Sequence, residues 1–181
     1  NIKTIKGERK ILKIGMLSAR ITVAVCLVYA VILFAGGVVR GLPREPYFAL
    51  AEIITMISAI ILVVLMAAIH LCTSPPFKLF SLIGLGWMFI TAGITVTVHF
   101  VELTVRRQLA ASTQTAFEPI FDFEWPGLLW GIELAAWHIG FGLSVLFTAF
   151  AFQGNGREKK VRIGLIITGL LCLFGLIGPA V

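Results

Sequence analysis

Five long apolar stretches dominate this sequence and limit what it can fold into. They lie at about 15–39, 48–72, 78–101, 127–152 and 162–179. Each is long enough for a transmembrane helix, because crossing the hydrocarbon core takes about 20 apolar residues at roughly 1.5 Å rise each. With 59% of its residues hydrophobic and 13% charged, the chain has too little polar surface for a water-soluble, disordered or nucleic-acid-binding protein. We therefore expect lipid as its surroundings and no nucleic-acid partner.

The gaps between the stretches carry residues that break helices. These are Pro43, Pro46, Pro75, Pro76, Pro119, Pro126, Gly154 and Gly156. In lipid only helices and closed barrels satisfy the backbone, and the stretches lack the alternation of barrel strands. The sequence predicts an all-α fold, a polytopic integral membrane bundle of about five transmembrane helices forming one domain over 1–181. The connection 102–126 is predicted to be an extracytoplasmic interfacial loop.

The basic residues predict the orientation of the bundle. Most precede the first stretch or lie in the second and fourth gaps, namely Lys3, Lys6, Arg9, Lys10, Lys13, Lys78, Arg157, Lys159, Lys160 and Arg162. The positive-inside rule makes this side cytoplasmic, so the amino terminus is inside and the carboxyl terminus outside. We expect a multi-pass protein of the cell membrane, of the prokaryotic inner-membrane type. A start at Asn1 and a stop at Val181, where the last stretch reaches the far side, favour a fragment with a sixth helix outside it.

Ionisable side chains within the stretches mark candidate sites, because they are costly to bury in lipid. At about 100° per residue, the third stretch aligns one face of polar or small residues. This face comprises Ser81, Gly84, Met88, Thr91, Thr95, His99 and Glu102. We expect it to look into the bundle. There His99 and Glu102 would meet Glu52, which opens the second stretch, and Glu133, about a turn and a half into the fourth, with His138 forming the floor of the cavity.

Simpler interpretations of the same residues stay open. Glu102 has Arg106 four residues on, the spacing of an ordinary helical ion pair at the interface. Glu52 can lie just outside the hydrocarbon, and His138, on a face of Gly and Ala, can form a hydrogen bond between helices. His70 is expected to be an interfacial histidine.

The connection 102–126 is predicted to run directly above this cluster. Its stretch from Phe117 to Trp125 mixes aromatic residues with three acids. Such a composition is typical of an interfacial lid or belt.

His99 and Glu133 are also the candidate metal ligands. Their nitrogen and oxygen atoms suit zinc or iron, and ligands from several helices can converge in a bundle. The spacing signal is weak, because the bundle-type Glu-x-x-His occurs only in reverse, from His99 to Glu102. No Gly-x-Ser-x-Gly elbow or phosphate-binding Gly-x-x-x-x-Gly-Lys is present. The sequence thus identifies no cofactor and does not decide whether the protein is an enzyme.

Three kinds of function remain open. In the favoured one, a Glu/His-lined cavity in the outer leaflet binds or transports a proton, a small cation or a small amphipathic ligand. In the second, the same residues serve a membrane enzyme as a metal or acid–base site acting on a lipid-like substrate. In the third, the protein is a structural or accessory subunit. The expected partners are membrane lipid, a small-molecule or ion ligand, and further copies of the chain or a membrane-complex subunit.

Overall fold

The computed structural model describes residues 2–40, 45–110, 118–121 and 126–180. Within these ranges the chain forms helices and turns and no strand. The prediction of an all-α helical bundle is therefore confirmed.

Seven helices follow one another along the described chain, and two of them contain a π-helical segment. Their bounds are α1 Ile2–Arg40, α2 Tyr47–Cys72, α3 78–110, α4 Glu118–Phe121, α5 128–149, α6 Arg157–Phe174 and α7 Ile177–Ala180. A short 3₁₀ turn at Pro75–Phe77 leads directly into α3.

Four helical segments are long and apolar enough to cross a membrane. They are Arg9–Ala35, Tyr47–Cys72, Pro75–Leu109 and Leu128–Ala149. Large apolar side chains such as Val31, Phe89 and Leu71 are exposed on their outer faces, as is expected of surfaces that face lipid. The four segments fit a multi-pass membrane protein.

The predicted fifth span at 162–179 has a different form in the structure. Here α6 begins earlier, and five of its first six residues are charged. Its apolar part from Ile163 to Phe174 covers about 18 Å at 1.5 Å per residue, less than the roughly 30 Å of a hydrocarbon core. A turn at Gly175 and Leu176 then separates α6 from α7.

The third helix continues well beyond its predicted end at residue 101. A π-helical segment at Glu102–Arg106 and a further α-helical turn at Arg107–Ala110 extend it into the predicted interfacial loop. No Pro or Gly occurs between 102 and 110 to end the helix. Of the proposed lid, Phe117 and residues 122–125 lie outside the described part of the chain.

The helices pack largely in chain order, with α3 between α2 and α5. The predicted inward face of α3 is the buried one, since all seven of its members from Ser81 to Glu102 are buried. Met88 joins Met66 of α2 and Val145 of α5 in the apolar core. Polar contacts accompany this packing, as Ser144 Oγ donates to the Gly84 carbonyl oxygen at 2.7 Å.

Small residues let the fifth and sixth helices approach closely. Gly142 of α5 lies against Gly169 and Cys172 of α6, and a Cβ on Gly169 would lie 2.8 Å from the Gly142 carbonyl oxygen. Close contact through small residues is a common way for helices to associate in lipid. On the face of Gly and Ala that carries His138, Gly142 and Ala149 are buried, whereas Ala135 is exposed.

Candidate functional site

Three buried ionisable side chains from three helices form one hydrogen-bonded chain. His99 of α3 contacts Glu52 of α2 through Nδ1, and its Nε2 lies 2.9 Å from Oε1 of Glu133 on α5. The exposed fractions of Glu52, His99 and Glu133 are 3%, 5% and 6%. The histidine therefore bridges two carboxylates inside the apolar part of the bundle.

The direction of the helices explains why these side chains meet. Glu52 lies near the start of α2, His99 near the end of the α-helical part of α3, and Glu133 near the start of α5. Because α3 packs between α2 and α5 and runs antiparallel to both, these positions lie at the same end of the bundle. Helical phase then turns each side chain inward, as predicted for His99.

The two oxygens of Glu133 have very different surroundings. Oε1 accepts from Thr95 Oγ1 at 3.1 Å and from Trp137 Nε1 at 2.5 Å, in addition to its contact with His99. Oε2 is buried and has no hydrogen-bond partner among the described residues. A buried oxygen without a partner is rare, because it gives up its hydration without compensation.

The two bonds from the His99 ring determine a proton count for the cluster. A neutral imidazole carries one N–H and cannot donate to two carboxylates. The two bonds therefore hold two protons between one imidazole and two carboxylates, wherever those protons lie along the bonds. The three groups together then carry one formal negative charge. One more proton, or one cation, would neutralise them.

A pocket of about 410 Å³ adjoins this cluster. It is lined by residues of α1, α2, α3 and α5, namely Val25, Cys26, Tyr29, Ile54, Thr55, Ser58, His99, Trp130, Glu133, Leu134 and Trp137. Most of the wall is apolar or aromatic, and two members of the cluster, His99 and Glu133, belong to it. A concave apolar pocket with a few convergent polar groups is the usual form of a small-molecule site.

The packing of α1 gives this pocket its position in the bundle. Among the described elements, the extensive interface of α1 is with α2, while both α1 and α5 contribute residues to the pocket. The pocket is thus a cleft bounded by α1 and α5, with α2 and α3 completing its wall. All of its lining residues belong to the four segments that are apolar enough to cross a membrane.

Two π-helical segments flank the cluster. One, Glu102–Arg106, begins three residues after His99, and the other, Ala136–Phe141, begins three residues after Glu133. Segments of this kind are rare and occur frequently at functional sites. The second contains Trp137, whose indole points to Glu133.

The structure does not bring all predicted site residues together. Glu102 is 1% exposed, and its Oε2 pairs with Arg106 Nη1 at 3.0 Å. The predicted helical ion pair is therefore present, with its carboxylate buried and its guanidinium partly exposed. Glu102 does not line the pocket.

His138 also lies apart from the cluster. Its Nδ1 bonds to the Leu134 carbonyl oxygen at 2.9 Å, and its ring lies against Gly175 after α6. It does not line the pocket as the expected floor, because it faces away from Glu133 on α5. At the opposite end of α2, His70 bonds to Ser81 Oγ at 2.9 Å.

The metal hypothesis for His99 and Glu133 finds little support in the geometry. Within the described residues, no group of three or more His, Cys, Asp or Glu side chains is arranged to hold a metal ion. Glu52 and Glu133 contact different nitrogens of His99. Their contacting oxygens therefore lie on opposite sides of the ring, whereas metal ligands converge on one point. The arrangement favours a hydrogen-bonded chain.

Sequence reasoning missed three residues that shape this site. Trp137 follows Glu133 by four residues, so the spacing of one helical turn was a usable signal. The sequence predicts Thr95 on the inward face of α3 but gives no sign that it donates to Glu133. Tyr29 lines the pocket from α1. It lies within an apolar stretch whose pattern does not indicate which residues face a pocket.

Comparison with known proteins does not identify this chain: no protein family, no curated protein and no solved structure matches it.

Proposed function

We propose that this membrane protein binds a small ligand in the pocket between α1 and α5, and that ligand binding is linked to proton binding by Glu52, His99 and Glu133. The observation that carries the proposal is the second oxygen of Glu133. Glu133 lines the pocket, and this oxygen is buried with no hydrogen-bond partner among the described residues. It belongs to a cluster that is one proton short of neutrality.

The cost of buried charge supports a proton-binding role. An ionisable side chain within a transmembrane helix is costly, by up to about 2.5–3.5 kcal/mol at the helix centre on insertion scales, and such residues usually serve a pathway or a relay. Here two carboxylates share one histidine, and the remaining charge lies beside a cavity. A group that only locked helices together would gain nothing from an unpaired oxygen at a pocket wall.

Proton binding can be measured without knowing the ligand. Protein in phosphatidylcholine nanodiscs would be titrated with acid while infrared difference spectra record the carboxyl stretching bands. We expect a protonated carboxyl band to grow as the pH falls, and Glu133→Gln to remove it. Histidine ring nitrogens labelled with ¹⁵N should report both nitrogens of His99 in hydrogen bonds.

A matched control is available on α3. Glu102→Gln changes another buried carboxylate, one that pairs with Arg106 and does not line the pocket. It should leave the Glu133 band in place. The proposal is wrong if the wild-type protein shows no carboxyl band that Glu133→Gln removes.

A further inference from the structure

We propose that the ligand of this pocket is a small lipophilic organic cation, such as an arylalkyl ammonium ion, which enters from the bilayer and exchanges with a proton at Oε2 of Glu133. This inference rests on the proposed function and adds to it the chemical class of the ligand and the atom at which ligand and proton compete.

The negative charge of the Glu52, His99 and Glu133 cluster favours a cationic ligand. With two protons held in the bonds of His99, the three groups carry one formal negative charge. Glu133 Oε2 is the oxygen left to meet a new positive charge, because Oε1 already takes part in three hydrogen bonds. An anionic ligand would be repelled, and a neutral apolar ligand would leave this oxygen without a partner.

The pocket wall suits an organic cation better than a hydrated metal ion. Trp130 and Trp137 of α5 and Tyr29 of α1 line the cavity beside Glu133. Aromatic faces attract ammonium groups, by about 2 kcal/mol or more where water is excluded. The volume of about 410 Å³ lies in the usual range of ligand pockets, and the apolar side chains between α1 and α5 suit the hydrocarbon part of such a ligand.

The position of the cleft favours entry from lipid. The main contact of α1 is with α2, while the pocket lies between α1 and α5. Apolar residues of α1 such as Val28 and Val31, beside Tyr29 in sequence, are exposed on the bundle surface. A lipophilic cation dissolved in the bilayer can therefore reach the cleft through its side without crossing the polar end of the bundle.

The competition between proton and cation depends on the charged and titratable groups around Glu133. These are Glu52 from α2, His99 from α3, and Tyr29 and the thiol of Cys26 from α1, with the Glu102–Arg106 pair one turn beyond His99. His138, on the same helix as Glu133, faces away from the cluster. Because Glu102 and Arg106 neutralise each other, the excess charge beside the pocket is that of the Glu52, His99 and Glu133 cluster.

The test compares two probes of nearly the same shape. Benzyltrimethylammonium is a permanent cation, and neopentylbenzene is its neutral analogue, with carbon in place of nitrogen. Calorimetric titrations of both would use protein in phosphatidylcholine nanodiscs, with empty nanodiscs as the blank. Repeating them at several pH values, in buffers of different ionisation enthalpy, counts the protons released.

We expect the cation to bind about tenfold or more tightly than its neutral analogue, as a cation–π contact and a counter-ion together suggest. Its affinity should fall as the pH is lowered, with protons released on binding. Glu133→Gln should retain the neutral probe, lose the preference for the cation and release no protons. Glu102→Gln should behave as wild type.

The ligand class is wrong if the wild-type protein binds both probes equally, or if cation binding releases no proton at any pH. Should Glu133→Gln fail to fold, the ligand class is tested with Glu133→Asp, which retains the charge, and with the wild-type pH series. The infrared titration without ligand separates the two proposals. A carboxyl band that titrates, combined with no cation preference, overturns the ligand class alone.

Discussion

The imidazole Nε2 of His99 lies 2.9 Å from Oε1 of Glu133, and this contact joins α3 to α5 inside the bundle. The other ring nitrogen contacts Glu52 of α2. His99 thus connects α2, α3 and α5 through hydrogen bonds between buried side chains. Its removal leaves two buried carboxylates without their shared partner, which makes His99 the most informative position for mutagenesis.

We expect His99→Gln to destabilise the protein by about 3–5 kcal/mol, the usual cost of removing one partner of a buried ion pair. Glutamine cannot reach both carboxylates with the geometry of the ring and carries no charge. The measurement is the free energy of unfolding in detergent micelles or bicelles. The control is His70→Gln, where a half-buried histidine bonds to Ser81 and a loss of about 1 kcal/mol is expected. Equal losses in the two variants would contradict the bridging role.

Gly84→Ala should destabilise the contact between α3 and α5. A Cβ there would meet Thr148 Oγ1 and would lie 2.8 Å from the Ser144 carbonyl oxygen, which is backbone and cannot move cheaply. A loss of about 1–3 kcal/mol is expected for such overpacking. Gly86→Ala on the same helix is the control, since nothing lies within 4 Å of its Cβ. Thermal unfolding should separate the two variants, and a stable Gly84→Ala would rule out this close approach.

Trp137→Phe should retain the aromatic wall of the pocket but remove one donor from Glu133. The indole Nε1 lies 2.5 Å from Glu133 Oε1, and a hydrogen bond to a charged group contributes about 1.5–3 kcal/mol. We expect a loss of stability in that range together with a change in the frequency of the Glu133 infrared band, because the frequency depends on the hydrogen bonds that the carboxyl group makes. Trp87→Phe, outside the pocket, should leave the band unchanged. An unaltered band in Trp137→Phe would show that the indole does not tune the carboxylate.

The predicted orientation can be tested with single cysteines at exposed positions. In a background without Cys26, Cys72 and Cys172, the variants Gln108→Cys and Asn155→Cys place thiols at opposite ends of the bundle. The positive-inside rule predicts that an impermeant maleimide added to intact cells labels the first and not the second. Labelling of Asn155→Cys alone would reverse the orientation.

The fold class and the inward face of α3 follow from local sequence pattern. Apolar length alone requires helices in lipid, and helical phase alone places Ser81, Thr95 and His99 on one side, which is the buried side in the structure. Local pattern also predicted the pairing of Glu102 with Arg106, because four residues span one helical turn. These features depend on the spacing of residues along a single helix, which can be read directly from the sequence.

The packing of the helices specifies which polar residues share a site. His99 reaches Glu52 and Glu133 across 47 and 34 positions, and no periodicity within one helix can specify how neighbouring helices turn toward each other. The same holds for His138, which faces Gly175 and not the cluster. Tyr29 lines the pocket because α1 packs on α2. Helix ends also depended on context, since the π-helical segment after Val101 continues α3 where composition predicted a loop. Local spacing therefore selects the face of each helix, but only the packing of one helix on another decides which of those faces meet.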